Sequence, residues 1–523
     1  MELIKRLSLL IVSDVHGYIY PTNYSDHIER NLGLAKVSSV IKQLRKEKAT
    51  ILINNGDLIQ GSPLTYYHAK YCPETENPTI NVINDLGCDV SVLGNHEFNY
   101  GTKYLQRAVN QSNHPWLSAN VLDKHTKEPA FGQPYLIKQV DGLRVALLGI
   151  TTHYIPNWED PNHIKDLQFD DALTSAKQWV NYIRQHEQPD IVVVCYHGGF
   201  ERDLETGEPT EDLTGENQGY QICKEVEGID VFVTGHQHRS IAKHLFGIPV
   251  LQPSHNGQLL GELELAFHYS DGKWTLKETK PRLHEIDADV EMDHEVLARI
   301  QKEENDTQAW LDRPIGSIEG DMSIDHPFEV RIKDHPFIEF INNVQMEAAN
   351  VSISNTSLFN NASPGFNKKV TMRDIVSNYV YPNTLKVIRI SGQAIKDALE
   401  QSATYFIINE NGELDIHPAF MEPKPQHYNY DMWEGIEYEL TISNPIGQRV
   451  TKLFYQGEPI DYKQEFDVVM NNYRAGGGGN FAMYKEAEVI QEIQTDMTEL
   501  IANYILERKT IKATCNHNWQ VKV

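Results

Sequence analysis

Five short apolar runs in the amino-terminal half of the chain are each followed by residues that can bind a metal ion. These residues are Asp14-Val15-His16, Gly56-Asp57, Gly94-Asn95-His96-Glu97, His197-Gly198 and Gly235-His236-Gln237-His238. Such runs indicate buried strands, and open α/β sheets form their sites at the carboxyl ends of parallel strands. Taken singly, each motif could be a helix cap or a structural histidine. Five of them at successive strand ends indicate one shared metal site.

The residue types at these positions suit metal binding. Asp14 and His16 are two residues apart, so in an extended segment they face the same way and can chelate one cation. Gly56 and Gly61 allow the chain to turn sharply around Asp57. The two carboxylate oxygens of Asp57 can bridge two cations, and Asn95 offers an amide oxygen.

In order and spacing, these motifs resemble the signature of the calcineurin-like metallophosphoesterases, over approximately residues 7–260. The resemblance implies an α/β fold, a four-layer α/β/β/α metallophosphoesterase sandwich, with two divalent metal ions. By the resemblance, one ion is bound by Asp14, His16 and His238, the other by Asn95, His197 and His236, and Asp57 bridges both.

A pair of metal ions accounts for this choice of ligands. Two ions lower the pKa of a bound water and hold a phosphate oxygen opposite it, so that attack is in line. Mixed His, Asp and Asn ligands suit Mn, Zn, Fe or Co, whereas Mg and Ca prefer oxygen ligands throughout.

His96 and Asn99 are the expected catalytic residues. By the resemblance, His96 lies beside a ligand without being one, and is free to stabilise developing charge or protonate the leaving oxygen. Many relatives orient this histidine with a carboxylate three residues later. Asn99 stands at that position here, which leaves open how His96 is kept protonated.

The chain of 523 residues is long enough for two or three domains. We expect the metallophosphoesterase domain over residues 1–285, a linker helix region over 286–327 and a second α/β domain over 328–523. Glu262–Phe267 alternates as an edge strand does, and Met292–Leu311 has the pattern of one charged amphipathic helix. In the second half, the pattern predicts helices over His335–Val351 and Gly392–Ala403 and strands over Tyr438–Ile442 and Phe466–Met470.

The second half resembles the carboxyl-terminal domain of the 5'-nucleotidase family, which binds the nucleoside. The segments that carry this resemblance are Asn378–Leu385, Ile390–Lys396 and Asn471–Phe481. By the resemblance, Tyr381 and Tyr473 clamp the base, and the further expected substrate contacts in the same loop are Arg474, Gly477 and Gly478. Stacking contributes about 1–3 kcal/mol per base and accepts any base. Core packing is the ordinary alternative for a tyrosine, but the neighbouring Pro-Asn and four-glycine sequences favour binding.

Two departures from the family bear on the substrate. Relatives that cleave 5'-monophosphates carry Asn-Gly-Gly-Gly-Ile-Arg near the start of this domain and Gly-Gly-Asp in the glycine loop. This chain has Asn355–Ser363, without arginine, and Gly479 in place of the aspartate. An aspartate that bonds free 2'- and 3'-hydroxyls would repel a phosphate esterified there. Together with Asn99, these departures resemble the 2',3'-cyclic-nucleotide 2'-phosphodiesterase/3'-nucleotidase branch.

Two other functions stay open. One is a 5'-nucleotidase or nucleotide-sugar pyrophosphatase built on the same metal site. The other, from a different class, is a catalytically inactive scaffold that keeps the fold for binding, which would be expected to have lost metal ligands. All seven ligand positions are intact, and this favours an enzyme.

Composition limits the classes of partner and the cellular compartments that remain open. A net charge of −26 argues against binding of nucleic acid polymers, whose partners are basic, so a small nucleotide is the expected partner. The five cysteines form no C-x-x-C pair, which fits a reducing compartment better than a disulfide framework or a zinc ribbon. No stretch approaches the roughly 18 apolar residues of a membrane span. We expect a cytoplasmic protein that does not bind membranes; a removed secretory leader and the oligomeric state stay open.

Overall fold

The computed structural model describes residues 3–157, 159–211, 213–270, 272–381, 383–422, 425–493 and 495–523. Pro382, part of the Asn378–Leu385 motif, lies outside the described residues. The chain divides into two compact units, Met1–Thr307 and Gln308–Val523. The division therefore falls inside the region 286–327 that was expected to be a linker.

The first unit contains two six-stranded sheets. In spatial order, the strands of the first sheet are Lys273–Glu285, Leu259–Ser270, Leu3–Val12, Ala49–Asn54, Val90–Val92 and Trp116–Leu117. Those of the second are Ser240–Leu245, Ile248–Pro253, Val231–Val233, Ile191–His197, Leu143–Thr151 and Tyr135–Val140. Val121–Asp123 and Leu167–Phe169 form a separate pair.

The two sheets share one core. Leu9, Ile53 and Val92 of the first sheet pack in the same buried cluster as Leu147 and Val193 of the second. Alternate residues of the second sheet's strands pack instead in a cluster that includes the helix Ala172–His186, because successive side chains of a strand face opposite ways. The expected α/β/β/α sandwich is confirmed.

Helices surround these sheets. The α-helices of the first unit are Leu34–Glu47, Pro63–Tyr71, Pro78–Asp85, Thr102–Gln111, Pro161–Ile164, Ala172–His186, Gly219–Glu225 and His294–Arg299, and Gln301–Leu311 crosses into the second unit. Short 3₁₀ helices cover His96–Phe98 and Ile155–Asn157. The single helix predicted over Met292–Leu311 is wrong. Buried Ile300, with φ −124° and ψ 21°, leaves the helical conformation and separates two helices.

The strands that carry the motifs run parallel. Ala49–Asn54 pairs in parallel with Leu3–Val12 and with Val90–Val92. In the second sheet, Ile191–His197 lies parallel between Leu143–Thr151 and Val231–Val233. Parallel pairing puts the carboxyl ends of neighbouring strands at one edge of each sheet, where the polar motifs follow.

The predicted edge strand over Glu262–Phe267 is not at the edge. It belongs to Leu259–Ser270, which pairs on both sides, and Lys273–Glu285 forms the edge instead. The alternation that suggested an edge has another cause. Glu262 is buried and accepts hydrogen bonds from Ser8 (2.7 Å) and Lys48 (2.7 Å), so its polarity is satisfied inside the sheet.

The second unit is built from smaller sheets. Its five-stranded sheet has the order Met432–Glu434, Ile353–Thr356, Glu465–Asn471, Leu385–Ser391 and Glu488–Ile493. A four-stranded sheet has the order Glu458–Pro459, Val450–Tyr455, Glu437–Thr441 and Trp519–Lys522, and a three-stranded sheet has the order Lys369–Thr371, Pro314–Glu319 and Thr510–Lys512. Two-stranded pairs join Met322–Ser323 to Gly365–Phe366 and Phe406–Ile408 to Leu414–Ile416.

Helices complete the second unit: Pro327–Val330, Pro336–Ala349, Met372–Asn378, Gly392–Ala403, Asn472–Ala475 and Met497–Arg508, with 3₁₀ turns over Pro418–Phe420, His427–Asn429 and Ala482–Tyr484. The four predicted elements of this half are confirmed within two residues at each end. All five cysteines are free thiols. Within the described part of the chain, no helix has the length and apolarity to cross a membrane.

Candidate active site

The residues predicted to hold the first metal ion lie together in the first unit. Ligand atoms of Asp14, His16 and His238 all lie within 4.8 Å of one another. Nε2 of His16 is 3.1 Å from Nε2 of His238, and the latter is 3.6 Å from Oδ1 of Asp14. Two imidazole nitrogens and a carboxylate oxygen therefore converge on one point.

The residues predicted to hold the second ion form an adjacent group. Nε2 of His197 is 3.2 Å from Oδ2 of Asp57 and 3.2 Å from Oδ1 of Asn95. The same Asn95 oxygen is 2.8 Å from Nδ1 of His236. Oδ1 of Asp14 lies 4.0 Å from Nε2 of His197, so the two groups are contiguous.

Hydrogen bonds on the far side of each imidazole fix the nitrogen that faces the site. Nδ1 of His197 is 2.6 Å from the carbonyl oxygen of Asn55, and Nδ1 of His16 is 3.0 Å from that of Gln60. Because a carbonyl only accepts, each Nδ1 carries the hydrogen, and Nε2 is the nitrogen that faces the site. His236 is oriented the other way round. Its Nε2 lies 2.9 Å from Oε1 of Glu216, so its Nδ1 faces Asn95.

The backbone around the site is held in an uncommon conformation. Five of the seven predicted ligands have positive φ: Asp14 (53°), His16 (52°), Asp57 (55°), His236 (68°) and His238 (58°). Non-glycine residues adopt this left-handed region rarely, and clusters of them occur at functional sites, where the surrounding fold compensates the strain.

Two glycines and Glu97 bring the motif loops close together. A Cβ on Gly56 would lie 2.4 Å from Nδ1 of His197, and one on Gly94 would lie 2.2 Å from Oδ1 of Asp57, so only glycine fits at either position. The fully buried carboxylate of Glu97 accepts hydrogen bonds from the N–H groups of Gly94 (2.6 Å), Asp57 (2.9 Å) and Leu58 (2.7 Å). Glu97 therefore joins the loop of Asp57 to the loop of Asn95.

The charges of the site suit divalent cations. Burial raises the pKa of Asp14 to about 7, against the effect of His197, and burial lowers the pKa of His16 to about 3. Burial also lowers the pKa of His197, but Asp57 and Asp14 raise it by more, to about 10. Buried carboxylates of this kind require a positive partner. With oriented imidazole nitrogens and an amide oxygen beside them, the residues present fit two divalent cations, which would take the place of the proton on His197, supply an activated water and hold a phosphate.

His96 lies at the edge of the first group, where its ring centroid is 5.2 Å from that of His16. Nδ1 of His96 is 2.6 Å from Oδ1 of Asn99, and Nδ2 of Asn99 donates to Oε2 of Glu159 at 2.7 Å. Glu159 is 7 % exposed, and its other oxygen is 3.0 Å from Nδ1 of His163. A buried carboxylate therefore reaches His96 through an amide.

The two predicted clamp tyrosines share a neighbour in the second unit. The ring of Tyr428 is 6.3 Å from that of Tyr381 and 6.4 Å from that of Tyr473, edge to face in both pairs. Tyr381 is 38 % exposed and also meets Phe359 edge to face. The rings thus form an aromatic group in which Tyr381 is partly exposed to solvent.

Arg474 has a different environment from the one expected of a substrate ligand. Its side chain is 1 % exposed, and its guanidinium forms an ion pair with Asp431 at 2.8 Å. It also donates to the carbonyl oxygens of Gly478 and Tyr428. The guanidinium is therefore held by protein partners beside the aromatic group, and its contact with substrate stays a prediction.

The glycine loop packs tightly against its neighbours. A Cβ on Gly478 would lie 2.5 Å from the ring of Tyr473, and Gly477 has φ +86°. At Gly479, a Cβ would lie 2.1 Å from Oδ1 of Asn429 and 2.5 Å from Nη1 of Arg474. The space beside position 479 is therefore filled by a neutral amide and a buried guanidinium.

Three carboxylates near the metal site have roles that the sequence did not reveal: Glu97, Glu159 and Glu216. Glu97 stands inside the Gly94–Glu97 motif, two residues after the predicted ligand Asn95, and this position could have suggested a structural role. Glu159 and Glu216 lie in irregular segments without a motif, and nothing in the sequence marks them.

Two family models match the chain. Residues 7–240 match the model for calcineurin-like phosphoesterases, and residues 314–486 match that for the carboxyl-terminal domain of 5'-nucleotidases. The solved structure of a putative 5'-nucleotidase from Staphylococcus aureus, in complex with alpha-ketoglutarate, is 36 % identical; the match covers 99 % of this chain and 100 % of that one, with a TM-score of 0.90. The chain belongs to the 5'-nucleotidase family.

Curated relatives are similar along almost the whole chain. A 2',3'-cyclic-nucleotide 2'-phosphodiesterase/3'-nucleotidase from Salmonella typhimurium is 29 % identical over 98 % of this chain and 88 % of the relative. The trifunctional nucleotide phosphoesterase protein YfkN from Bacillus subtilis is 27 % identical over 99 % of this chain, which spans 39 % of that longer protein. This member of the 5'-nucleotidase family is a metal-dependent phosphoester hydrolase that acts on nucleotides.

Proposed function

We propose that this enzyme opens 2',3'-cyclic nucleotides at the 2' position and then removes the remaining 3'-phosphate. The observation that carries the proposal is the environment of Gly479. Where 5'-specific relatives are expected to place an aspartate, this chain has no side chain, and the amide of Asn429 and the guanidinium of Arg474 fill the space. A neutral amide does not repel a phosphate on the ribose hydroxyls as a carboxylate would.

The names of several relatives support the same substrate. Three curated proteins called 2',3'-cyclic-nucleotide 2'-phosphodiesterase/3'-nucleotidase are between 27 % and 29 % identical, each over 98 % of this chain. We propose Asp14, His16, Asp57, Asn95, His197, His236 and His238 as the ligands of two divalent cations drawn from Mn, Zn, Fe or Co. Their mixed nitrogen and oxygen donors support this choice over Mg and Ca.

His96 is the proposed proton donor to the leaving oxygen. Its Nδ1 is occupied by Asn99, which leaves Nε2 as the nitrogen available to a substrate. Glu159 accepts from Asn99 and cannot donate to it when ionised. The amide is therefore oriented with its oxygen towards His96, which keeps a hydrogen on Nδ1 and turns Nε2 towards the substrate.

The base is proposed to stack between Tyr381 and Tyr473. Tyr428 contacts both rings edge to face, and Gly478 lies against the Tyr473 ring without a side chain that would displace it. Stacking accepts every base, so we expect weak base preference.

A second candidate, 5'-nucleotidase activity, is favoured by one observation. The Staphylococcus aureus structure called a putative 5'-nucleotidase is 36 % identical, which exceeds the identity of the cyclic-nucleotide enzymes. The same metal site would serve either reaction, because it acts on the phosphate and not on the ribose.

Steady-state hydrolysis of 2',3'-cyclic AMP, 3'-AMP and 5'-AMP by the Mn²⁺-loaded enzyme separates the two candidates. We expect kcat/KM to be highest for the cyclic and 3' substrates. A matched variant, Asn429→Asp, which puts a carboxylate in the same space without adding a side chain at position 479, should lower kcat/KM for 3'-AMP more than for 5'-AMP. Preference of the wild type for 5'-AMP would refute the proposed substrate and leave the metal site unchanged.

A further inference from the structure

A second cluster of metal-binding residue types lies in the carboxyl-terminal unit. It is formed where the loop between the strands Thr510–Lys512 and Trp519–Lys522 meets the start of the helix Pro336–Ala349. Ligand atoms of Asp334, Cys515 and His517 lie within 4.8 Å of one another. These residues belong to none of the motifs of the nucleotidase site.

The cluster contains buried negative charge. Asp334, Glu339 and Glu434 are 6 %, 5 % and 6 % exposed, and their carboxylate oxygens also lie within 4.8 Å of one another. Among the described residues, no lysine or arginine forms an ion pair with any of the three. Ionised carboxylates in such a setting are costly unless a cation accompanies them.

One oxygen of the cluster has no partner. Oδ2 of Asp334 accepts from the N–H of His517 at 2.9 Å, but Oδ1 is buried and, in the part of the chain that the structure describes, accepts no hydrogen bond. Buried carboxylate oxygens are normally satisfied. The same carboxylate lies beside the thiol of Cys515 through its other oxygen, Oδ2, so a cation bound there would supply a partner for the carboxylate.

The geometry of the donors fits one tetrahedral ion. Sγ of Cys515 is 3.2 Å from Oδ2 of Asp334 and 3.3 Å from Nδ1 of His517. Ligand atoms that share a tetrahedral zinc ion, with Zn–S of about 2.3 Å and Zn–N or Zn–O of about 2.0–2.2 Å, stand about 3.3–3.6 Å apart. The two separations from Sγ need to change by only a few tenths of an ångström, and the third pair of ligand atoms lies within 4.8 Å.

We propose that Asp334, Cys515 and His517 bind a zinc-class divalent cation, at a site separate from the metal centre of the phosphoesterase unit. A thiolate with an imidazole selects Zn²⁺ or Co²⁺ over Mg²⁺, Ca²⁺ and Mn²⁺. Binding exchanges the S–H bond of Cys515 for an S–metal bond and releases the proton to solvent.

Glu339 and Glu434 hold the ligand loop in place. The residue between the two loop ligands, Asn516, donates its N–H to Oε2 of Glu339 at 2.7 Å and its Nδ2 to Oε1 of Glu434 at 2.6 Å. Because Glu339 and Glu434 both accept hydrogen bonds from Asn516, the residues on either side of it, Cys515 and His517, are held close to one another. The bound ion would tie the segment before the last strand to the helix Pro336–Ala349.

Cobalt spectroscopy of the full chain tests the proposal. The phosphoesterase centre offers Asp, His and Asn ligands, so a near-ultraviolet thiolate-to-cobalt charge-transfer band can arise only from a site with cysteine. We expect this band to reach its plateau by three equivalents of Co²⁺, since the phosphoesterase centre takes two, to be lost in Cys515→Ser and to persist in the matched control Cys72→Ser, whose cysteine is also half-buried. A fully Co²⁺-loaded wild type without the band, or a band retained by Cys515→Ser, would overturn the proposal.

A second measurement does not depend on the folding of a cysteine variant. Alkylation of the wild-type chain by iodoacetamide is followed by peptide mass spectrometry, with Cys72 as the internal reference. We expect Zn²⁺ to slow alkylation of Cys515 at least tenfold and to leave Cys72 unchanged, and we expect the protection to be lost in His517→Ala, whose side chain is exposed. Equal alkylation of Cys515 with and without Zn²⁺ would mean that its thiol only donates a hydrogen bond to Asp334.

Discussion

Replacing Glu159 by glutamine should break the chain of hydrogen bonds that orients His96, the proposed proton donor to the leaving group. In the wild type, the carboxylate of Glu159 can only accept, so it fixes the amide of Asn99 with its oxygen towards His96. Glutamine at position 159 can also donate. The amide of Asn99 can then turn round and offer an N–H to Nδ1 of His96, which removes the hydrogen from that nitrogen.

The size of the effect follows from the contact that is lost. A hydrogen bond to a charged group contributes about 1.5–3 kcal/mol, and the Asn99 Nδ2 to Glu159 Oε2 bond is 2.7 Å long. Each 1.36 kcal/mol of transition-state stabilisation corresponds to a factor of about ten in rate. If the whole contribution is made in the transition state, kcat for 3'-AMP falls about 10- to 150-fold, with little change in KM.

Two leaving groups distinguish proton donation from general damage to the site. The nucleoside leaves 3'-AMP as an alkoxide that needs a proton, whereas p-nitrophenolate leaves p-nitrophenyl phosphate without one. We expect Glu159→Gln to slow 3'-AMP hydrolysis strongly and p-nitrophenyl phosphate hydrolysis only slightly, at unchanged metal content. Asp160→Asn is the matched control, since Asp160 caps the helix Pro161–Ile164 and takes no part in the chain of hydrogen bonds to His96.

A conservative rescue completes the test. Adding Asn99→Asp to Glu159→Gln places a carboxylate directly on Nδ1 of His96, the arrangement that the family is expected to use. Hydrolysis of 3'-AMP should return to within a few-fold of the wild-type rate. The reasoning is refuted if Glu159→Gln slows both substrates equally, or if it leaves 3'-AMP hydrolysis unchanged.

Three further predictions concern other parts of the enzyme. Glu216→Gln, which weakens the bond that orients His236, should raise the Mn²⁺ concentration for half-maximal activity about 10- to 100-fold; an unchanged requirement would contradict this role. Tyr473→Ala should raise KM for nucleotides about 5- to 150-fold, the equivalent of the 1–3 kcal/mol of stacking, and spare p-nitrophenyl phosphate; an equal loss on both substrates would contradict the clamp. A hydrogen bond from His284 lowers the pKa of Glu262 and burial raises it, with a net value of about 2. The contribution of Glu262 to stability is therefore present above pH 4.5 and is lost as the pH falls towards 2. Acid unfolding followed by circular dichroism should therefore show less pH dependence between pH 4.5 and 2 in Glu262→Gln than in the wild type, and parallel curves would contradict the prediction.

The strands and the metal-binding motifs could be predicted because each depends on residues that are adjacent in the sequence. A continuous apolar run such as Ile191–Tyr196 can be buried only on both faces, which indicates a central parallel strand, and His197 follows it directly. The order of strands in the sheet could not be obtained in this way. Glu262 carries the alternation of an exposed edge, yet it is buried because Ser8 and Lys48, each more than 200 residues away, satisfy its oxygens.

Residues that support a site are harder to predict than residues that form it. A metal ligand needs a particular donor atom at a strand end, and this leaves a motif. Arg474 is predicted from its place in the glycine loop to contact the substrate, but the sequence does not show that Asp431 and the carbonyl oxygen of Tyr428 bind its guanidinium. Glu216 needs only to reach the far nitrogen of His236, and many backbone positions satisfy that condition.

Asn99 shows what a departure from a family pattern can and cannot reveal. The sequence shows that a carboxylate is missing beside His96. It does not show what replaces it, because an imidazole can be supported by any hydrogen-bond acceptor that a charged group orients, one or two hydrogen bonds away. The compensating Glu159 lies 60 residues further along the chain, in a segment with no motif. Only the fold brings the two together, since a hydrogen bond depends on distance in space and not in sequence. When a family motif lacks its carboxylate, a second carboxylate that hydrogen-bonds to the substituted residue should therefore be sought before the histidine's role is rejected.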